Sequence, residues 1–471
     1  MDSDLTITLS EPQPTPAYVF EGGELHDPLL ALEHHRLGPF SKPERTKASI
    51  LALFPSSYNS SEEQFVKLLA TDISQGIQMN EEFRTARYVR CRYRGFKETY
   101  GGELDFAFEQ FPWETEDMTS LLSQLQKHFA SKKHQLTLFF SPFRERSLLG
   151  GPYYRVRAAG IDADSKIQWI RRDRVNDYDL RRKTFPRDLS KYRSYADFVW
   201  NLSLSIFTKL GGKPWKLKNA FSNVSGFMGL ATVFAREYSD RYERQGIAAV
   251  ELFNNWGEYE SASFDGTVLT QTERGEIDIY DLDKVEDLIV RATASIAQSP
   301  TMKPERDLMV VHVSDLYSKR VKQKVMGTLE KAGFKNPRII RVQDEGPLRL
   351  HRKADSKSRV WAPAGTYWFN EEGKLAQLFT AGLWRYSPTA EPYNIPSFTC
   401  DPVQVSIEEP TGSELTIDDL KHVFCLSKLY PYTFDVGRKR KPITLTLARR
   451  LAQFAASVDI GNKVPDITHL Y

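Results

Sequence analysis

The stretch Asn201–Phe234, NLSLSIFTKLGGKPWKLKNAFSNVSGFMGLATVF, constrains this chain more than any other. Leu202, Leu204, Ile206, Phe207 and Leu210 recur at a roughly helical period, which Lys209 interrupts near the end. Gly211 and Gly212 stop that helix, because glycine tolerates the left-handed conformation that a C-terminal cap needs. After the Pro214-Trp215-Lys216 corner, Phe227 to Phe234 is a short, mostly apolar run with glycines at its start. Such a run predicts a strand buried on both faces. Helix, tight break and buried strand together point to an α/β protein.

The rest of the chain agrees with that class. KASILALFP (47–55) predicts a buried strand, SEEQFVKLLATDISQG (61–76) a helix ending at Gly76, 118–130 a second helix, and QLTLFFSP (135–142) a strand stopped by Pro142. Strands alternating with helices imply a partly parallel sheet with its ligand at the carboxyl ends of the strands. Beyond Ala231, strands are expected at 246–254, around 258–264, at 307–313 and at 338–344, with helices at 284–298 and 320–332.

At 471 residues the chain has room for two or three domains. No apolar run reaches the roughly 20 residues a membrane helix needs. The opening MDSDLTITLS lacks the basic and apolar regions of a signal peptide. Cys91, Cys400 and Cys425 are odd in number and widely spaced, giving neither a zinc pattern nor a disulfide framework, which points to a reducing cytoplasm. His26, His34 and His35 have no Cys or carboxylate spacing to make them metal ligands. The net charge of +3 says little, but its distribution says more. Between Arg144 and Arg193 there are fourteen Lys/Arg against seven Asp/Glu, and between Asp435 and Arg450 six against one. Clustered positive charge is the footprint of a phosphate-binding surface. No GxGxxG dinucleotide fingerprint is present.

The run Lys209-Leu-Gly-Gly-Lys-Pro-Trp-Lys216 resembles the junction between the MID and PIWI domains of Argonaute proteins. HDPLLALEHHRLGPF (26–40) resembles the entry segment of the short prokaryotic members. The resemblance implies a Rossmann-like MID domain followed by an RNase H-like PIWI domain on a βββαβαβα plan. It divides the chain into an extended segment at 1–45, MID at 46–205 and PIWI at 206–471. In the family a Tyr-x-x-x-Lys helix and a Gln-bearing strand, with the junction lysine, grip the guide's 5′ phosphate. Tyr153 and Arg157 match the first pair, four apart on one helix face. The Gln position falls at Lys166 or Gln168, and Lys209 is the junction lysine. Arg157 keeps the cation and adds a bidentate fork. Tyr153 can stack on a base while the cations meet the anion.

The family's nuclease site is a carboxylate tetrad that holds two metal ions. Its first Asp maps onto Ala231, its third onto Ser314 and its fourth onto Arg449, while the loop Glu has no local motif. Alanine cannot ligate a metal, serine is a poor neutral ligand and arginine repels cations. Asp315 is one residue off, and a one-residue slip in a strand flips the face. The resemblance therefore implies an inactive short Argonaute that does not slice. It also implies a 5′-phosphorylated guide RNA, a single-stranded DNA target, and Mg²⁺ or Mn²⁺ at the 5′ phosphate held partly by the Tyr471 carboxylate. The implied partner is an APAZ-containing chain fused to an NAD-consuming TIR or sirtuin-like domain, in an antiviral system. Two other readings stay open: a guided nuclease with a non-standard ligand set, and an unguided single-strand binder or adaptor.

Overall fold

The computed structural model describes residues 13, 14, 16–77, 93–113, 117–130, 133–143, 151–177, 189–234, 243–294, 308–344, 351–353, 359–361, 364–381, 402–434, 440–458, 464–466 and 468. The chain forms two compact units. One comprises Tyr18–Lys216, Pro431–Phe434 and Ser457–Tyr471; the other comprises Met1–Ala17, Leu217–Tyr430 and Asp435–Ala456. The chain passes between them just after the Gly211-Gly212 break, so residues 206–216 fall in the first unit.

The first unit is built on a four-stranded, all-parallel sheet in the order Glu103–Phe111, Lys47–Pro55, Leu136–Phe140, Lys166–Ile170. Lys47–Pro55 is central, and its continuous apolar run is buried almost throughout. The helix Ser60–Gln75 begins with a capping box between Asn59 and Glu62 and stops at Gly76, whose φ is +92°. Glu62 also takes the Arg172 fork, at 3.0 and 3.2 Å. The core on one face joins Leu51, Leu53, Phe111, Leu121, Leu125 and Phe139 to Val156, Ile167 and Trp169. Residues 18–40 are less extended than expected: Tyr18–Phe20 pairs with Gly23–Leu25, and Asp27 caps the short helix Pro28–Glu33.

The second unit carries a nine-stranded mixed sheet. Its order is Ile277–Ile279, Tyr259–Gln271, Glu243–Asn254, Gly226–Phe234, Leu308–Val313, Asn336–Gln343, Val403–Glu409, Leu375–Leu378, Tyr367–Phe369. Leu308–Val313 runs parallel to both of its neighbours, and the other pairings in this sheet are antiparallel. The helices Leu282–Thr293 and Lys319–Lys331 cover one face through Met228, Leu230, Val250, Met309 and Val311. The helix Ile443–Ala455 lies on the other face, over Gly229. The strand at Tyr259–Gln271 is longer than expected, and the last three strands of the order were not foreseen, being short and partly polar.

Among the described residues, no helix is long and apolar enough to cross a membrane.

Gly229 is a point where backbone approaches backbone. A Cβ there would lie 2.2 Å from the Thr444 carbonyl oxygen, which belongs to a helix and cannot give way. Gly229→Ala is expected to lower stability by about 1–3 kcal/mol through overpacking. Chemical denaturation checks this, and an unchanged midpoint would show that the helix can lift from the strand without loss.

Candidate nucleic-acid site

The helix Leu189–Lys209 packs against the edge strand Lys166–Ile170 and brings several expected residues together. Ser205 Oγ donates to Gln168 Oε1 at 2.7 Å. Lys166 Nζ donates to the Lys209 carbonyl at 2.6 Å, near the helix end where unsatisfied carbonyls favour a cation. Lys209 itself is 0 % exposed. Its ammonium donates to the Ile167 carbonyl at 3.1 Å and to the Thr468 carbonyl at 2.9 Å. The residue that interrupts the apolar period is thus buried, satisfied by main-chain oxygens from the strand and from the distal chain.

Tyr153 and Arg157 form a second group. The Arg157 guanidinium lies 4.8 Å from the Tyr153 ring centre, and Tyr153 meets Trp169 edge-on at 5.6 Å. Gln168 and Trp169 are neighbours in one strand and so face opposite ways. The helix Pro152–Asp162 therefore covers the face carrying Ile167 and Trp169, and Leu189–Lys209 covers the other. The two halves of the expected clamp flank the edge strand, and Lys209 reaches its main chain between them. Both Gln168 and Lys166 reach the junction helix, Gln168 through the Ser205 hydroxyl and Lys166 through the Lys209 carbonyl. Ser205 was missed, although small polar residues inside an apolar helix face mark where a helix meets polar partners. Tyr471 lies outside the described residues.

In the second unit, Val313 pairs with Leu230, so one further step of the parallel register sets Ser314 beside Ala231. Ala231 is buried and Ser314 half-buried. Asp315 points the other way, its Oδ2 accepting from Thr232 Oγ1 at 3.4 Å on the face that holds Tyr317. Burial raises the Asp315 carboxyl above its ordinary value, opposed by Arg449, Thr232 and Lys441. Arg449 is exposed and bears on that acid. Lys441 pairs with Asp344 at 2.7 Å, and Arg440 donates to the Pro402 carbonyl at 3.0 Å. Part of the basic cluster at 435–450 is thus engaged within the unit, while residues 435–439 and much of the cluster at 144–193 lie outside the described residues. Ala231, Ser314 and Arg449 supply no carboxylate, so these positions do not fit a two-metal centre. Among the described residues, no three His, Cys, Asp or Glu side chains group as metal ligands.

One acid was not anticipated. Glu251 pairs across the sheet with Gly229, beneath the helix Ile443–Ala455. It is 0 % exposed, and neither carboxylate oxygen has a hydrogen-bond partner. Burial pushes its carboxyl well above the ordinary value, and Arg450 only partly offsets this. On the same face His312 Nδ1 lies 3.0 Å from Thr444 Oγ1, and Phe227 contacts both His312 and His422. Burial lowers both histidines to about 3.

The arrangement of a parallel sheet followed by an RNase H-like mixed sheet is the fold of the C-terminal half of an Argonaute, over nearly the whole chain. Two solved structures carry the comparison. Clostridium butyricum Argonaute, solved with a guide DNA and a 19-mer target DNA, superposes with a TM-score of 0.66 at 15 % identity, over 98 % of this chain and 55 % of that one. A. aeolicus Argonaute gives 0.54 at 14 % identity, over 95 % and 53 %. The chain thus spans about half the length of each. No protein-family model and no curated protein matches the sequence.

The buried groups give a pH prediction. A carboxyl whose pKa rises on folding stabilises the fold only while protonated, and that contribution is lost as pH climbs above the unfolded value. Glu251→Gln should therefore match the wild type in acid and become progressively more stable than it as pH rises above about 4.3. The histidines act oppositely: held neutral, they cost stability as pH falls from 6.5 toward about 3. Thermal melts of both proteins across pH test this, and parallel curves would show Glu251 to be ionised in the fold.

Proposed function

We propose that this chain binds a 5′-phosphorylated guide, RNA by the family resemblance, and uses it to recognise complementary single-stranded DNA without cutting it. The observation that carries this reading is the convergence of Lys209, Lys166, Gln168 and Ser205 on one edge strand, with Arg157 and Tyr153 on its other face, in a fold like that of Argonautes. A cation, an amide and a stackable ring around a strand edge are the parts a phosphate and a terminal base require. The Tyr471 carboxylate would add a ligand for Mg²⁺ or Mn²⁺ at that phosphate. The Thr468 carbonyl on Lys209 brings the chain to within three residues of that position, which supports the assignment.

Target recognition would then activate an associated chain, an APAZ-type partner with NAD-consuming TIR or sirtuin-like chemistry. The residues at Ala231, Ser314 and Arg449 favour a sensing role over slicing, and Arg449, being exposed, suits a phosphate backbone.

Arg157→Ala and Lys166→Ala are each expected to weaken a 5′-phosphorylated guide by roughly 1.5–3 kcal/mol, with far less effect on a 5′-hydroxyl guide. Lys209→Met should do the same and also lower the melting temperature, since it strips two buried carbonyls of their donor. Filter binding with both guides decides the matter, and equal losses for both would place these residues away from the 5′ end. Guide-loaded protein given Mg²⁺ or Mn²⁺ should leave a matched DNA strand whole on a denaturing gel. A single guide-dependent cut, abolished by changing a nearby acid, would favour the nuclease reading.

A further inference from the structure

The strand Glu103–Phe111 stands at the edge of the parallel sheet and pairs only with Lys47–Pro55 among the described strands. Two bonds at its ends fix which groups face inward. Glu103 N–H donates to the Thr46 carbonyl, and the Phe111 carbonyl accepts from Ser56. Residues alternate along a strand, so Glu103, Asp105, Ala107, Glu109 and Phe111 turn their main chain into the sheet. The N–H and C=O groups of Leu104, Phe106, Phe108 and Gln110 then point outward. An edge this long is a template for strand addition unless something blocks it. The strand carries no proline, no lysine and no arginine, and the structure gives it a regular register without a bulge.

Its side chains say what would dock. Phe106 and Phe108 stand on one face with ring centres 6.4 Å apart, and Phe108 is 40 % exposed. Glu103, Asp105 and Glu109 are exposed acids. Lys97, Lys47 and His128 lie against them, but solvent-exposed pairs of this kind contribute little and exchange readily. A second copy of this chain is a poor occupant. Antiparallel self-pairing about Ala107 sets Asp105 against Glu109, and parallel self-pairing sets each acid beside its own copy.

We infer that the open edge of Glu103–Phe111 receives an extended, Lys/Arg-bearing strand from a different polypeptide, which adds a fifth strand to the parallel sheet beside the Phe106–Phe108 ring pair. This rests on the reading above that a second chain accompanies this one, and it assigns that chain a docking edge.

The test uses the full chain co-expressed with the product of the reading frame adjacent to its gene. Hydrogen exchange is read residue by residue, free and in the complex. Strand addition should slow the amides of Leu104, Phe106, Phe108 and Gln110 by at least about tenfold, leaving Asp105, Ala107 and Glu109, already bonded inward, little changed. Phe108→Pro, which removes one outward donor, should weaken the complex about tenfold or more, and Phe108→Ala, which keeps it, should weaken it less. Should Phe108→Pro fail to fold, the exchange pattern of the unaltered protein still decides. A complex with unchanged exchange over 103–111 would overturn the docking edge while leaving the partner reading intact. Absence of any complex on size exclusion would remove the partner reading and this inference with it.

Discussion

A buried ammonium group is tolerated only where oxygens replace its water, and the first unit is arranged around one. Lys209 sits at the end of the long helix with two carbonyls on its ammonium, one from the edge strand and one from Thr468. Its own carbonyl takes Lys166. Helix, strand and distal chain are therefore tied at a single cation, and Gln168 and Ser205 stand one helical turn away. The charge of Lys209 is thus held by main-chain oxygens inside the fold rather than on a free, solvated side chain.

Much of this was legible in the sequence, and for definite reasons. Lys47–Pro55 and Gly226–Phe234 are central strands whose apolar runs admit few alternatives, and Gly76 and Gly211 punctuate helices as their backbone freedom predicts, whereas Gly212 has an ordinary φ and lies against the Phe207 ring. Glu103–Phe111 was not foreseen, although Leu104, Phe106 and Phe108 alternate with Glu103, Asp105 and Glu109 at the period of a half-wet strand. The choice between Lys166 and Gln168 could not be made from spacing, since both share a face and both reach the helix packed there. Glu251 left no trace either: nothing in AAVELFNN separates an acid beneath a helix from one in solvent.

In the second unit the positions Ala231, Ser314 and Arg449 carry no carboxylate. One step beyond the Val313–Leu230 pair sets Ser314 beside Ala231, and Gly229 lies close against the helix above. The charges nearby bear on one another: Lys441 pairs with Asp344, and Arg449 opposes the rise that burial gives the Asp315 carboxyl. Glu251 and His312, deeper in the sheet, are both pushed toward their neutral forms by burial.

The bond between Lys209 and Thr468 spans 259 positions of sequence. A ribosome that has finished the first unit's sheet has not yet made the oxygen that the buried lysine needs, nor residues 431–434 that return to the same unit. The intervening unit must emerge first. Closure of the Lys209 site is therefore among the last events of synthesis, and a nascent chain lacks this oxygen partner of its buried cation until it is almost complete. Connectivity alone thus delays completion of the first unit until the second has been made.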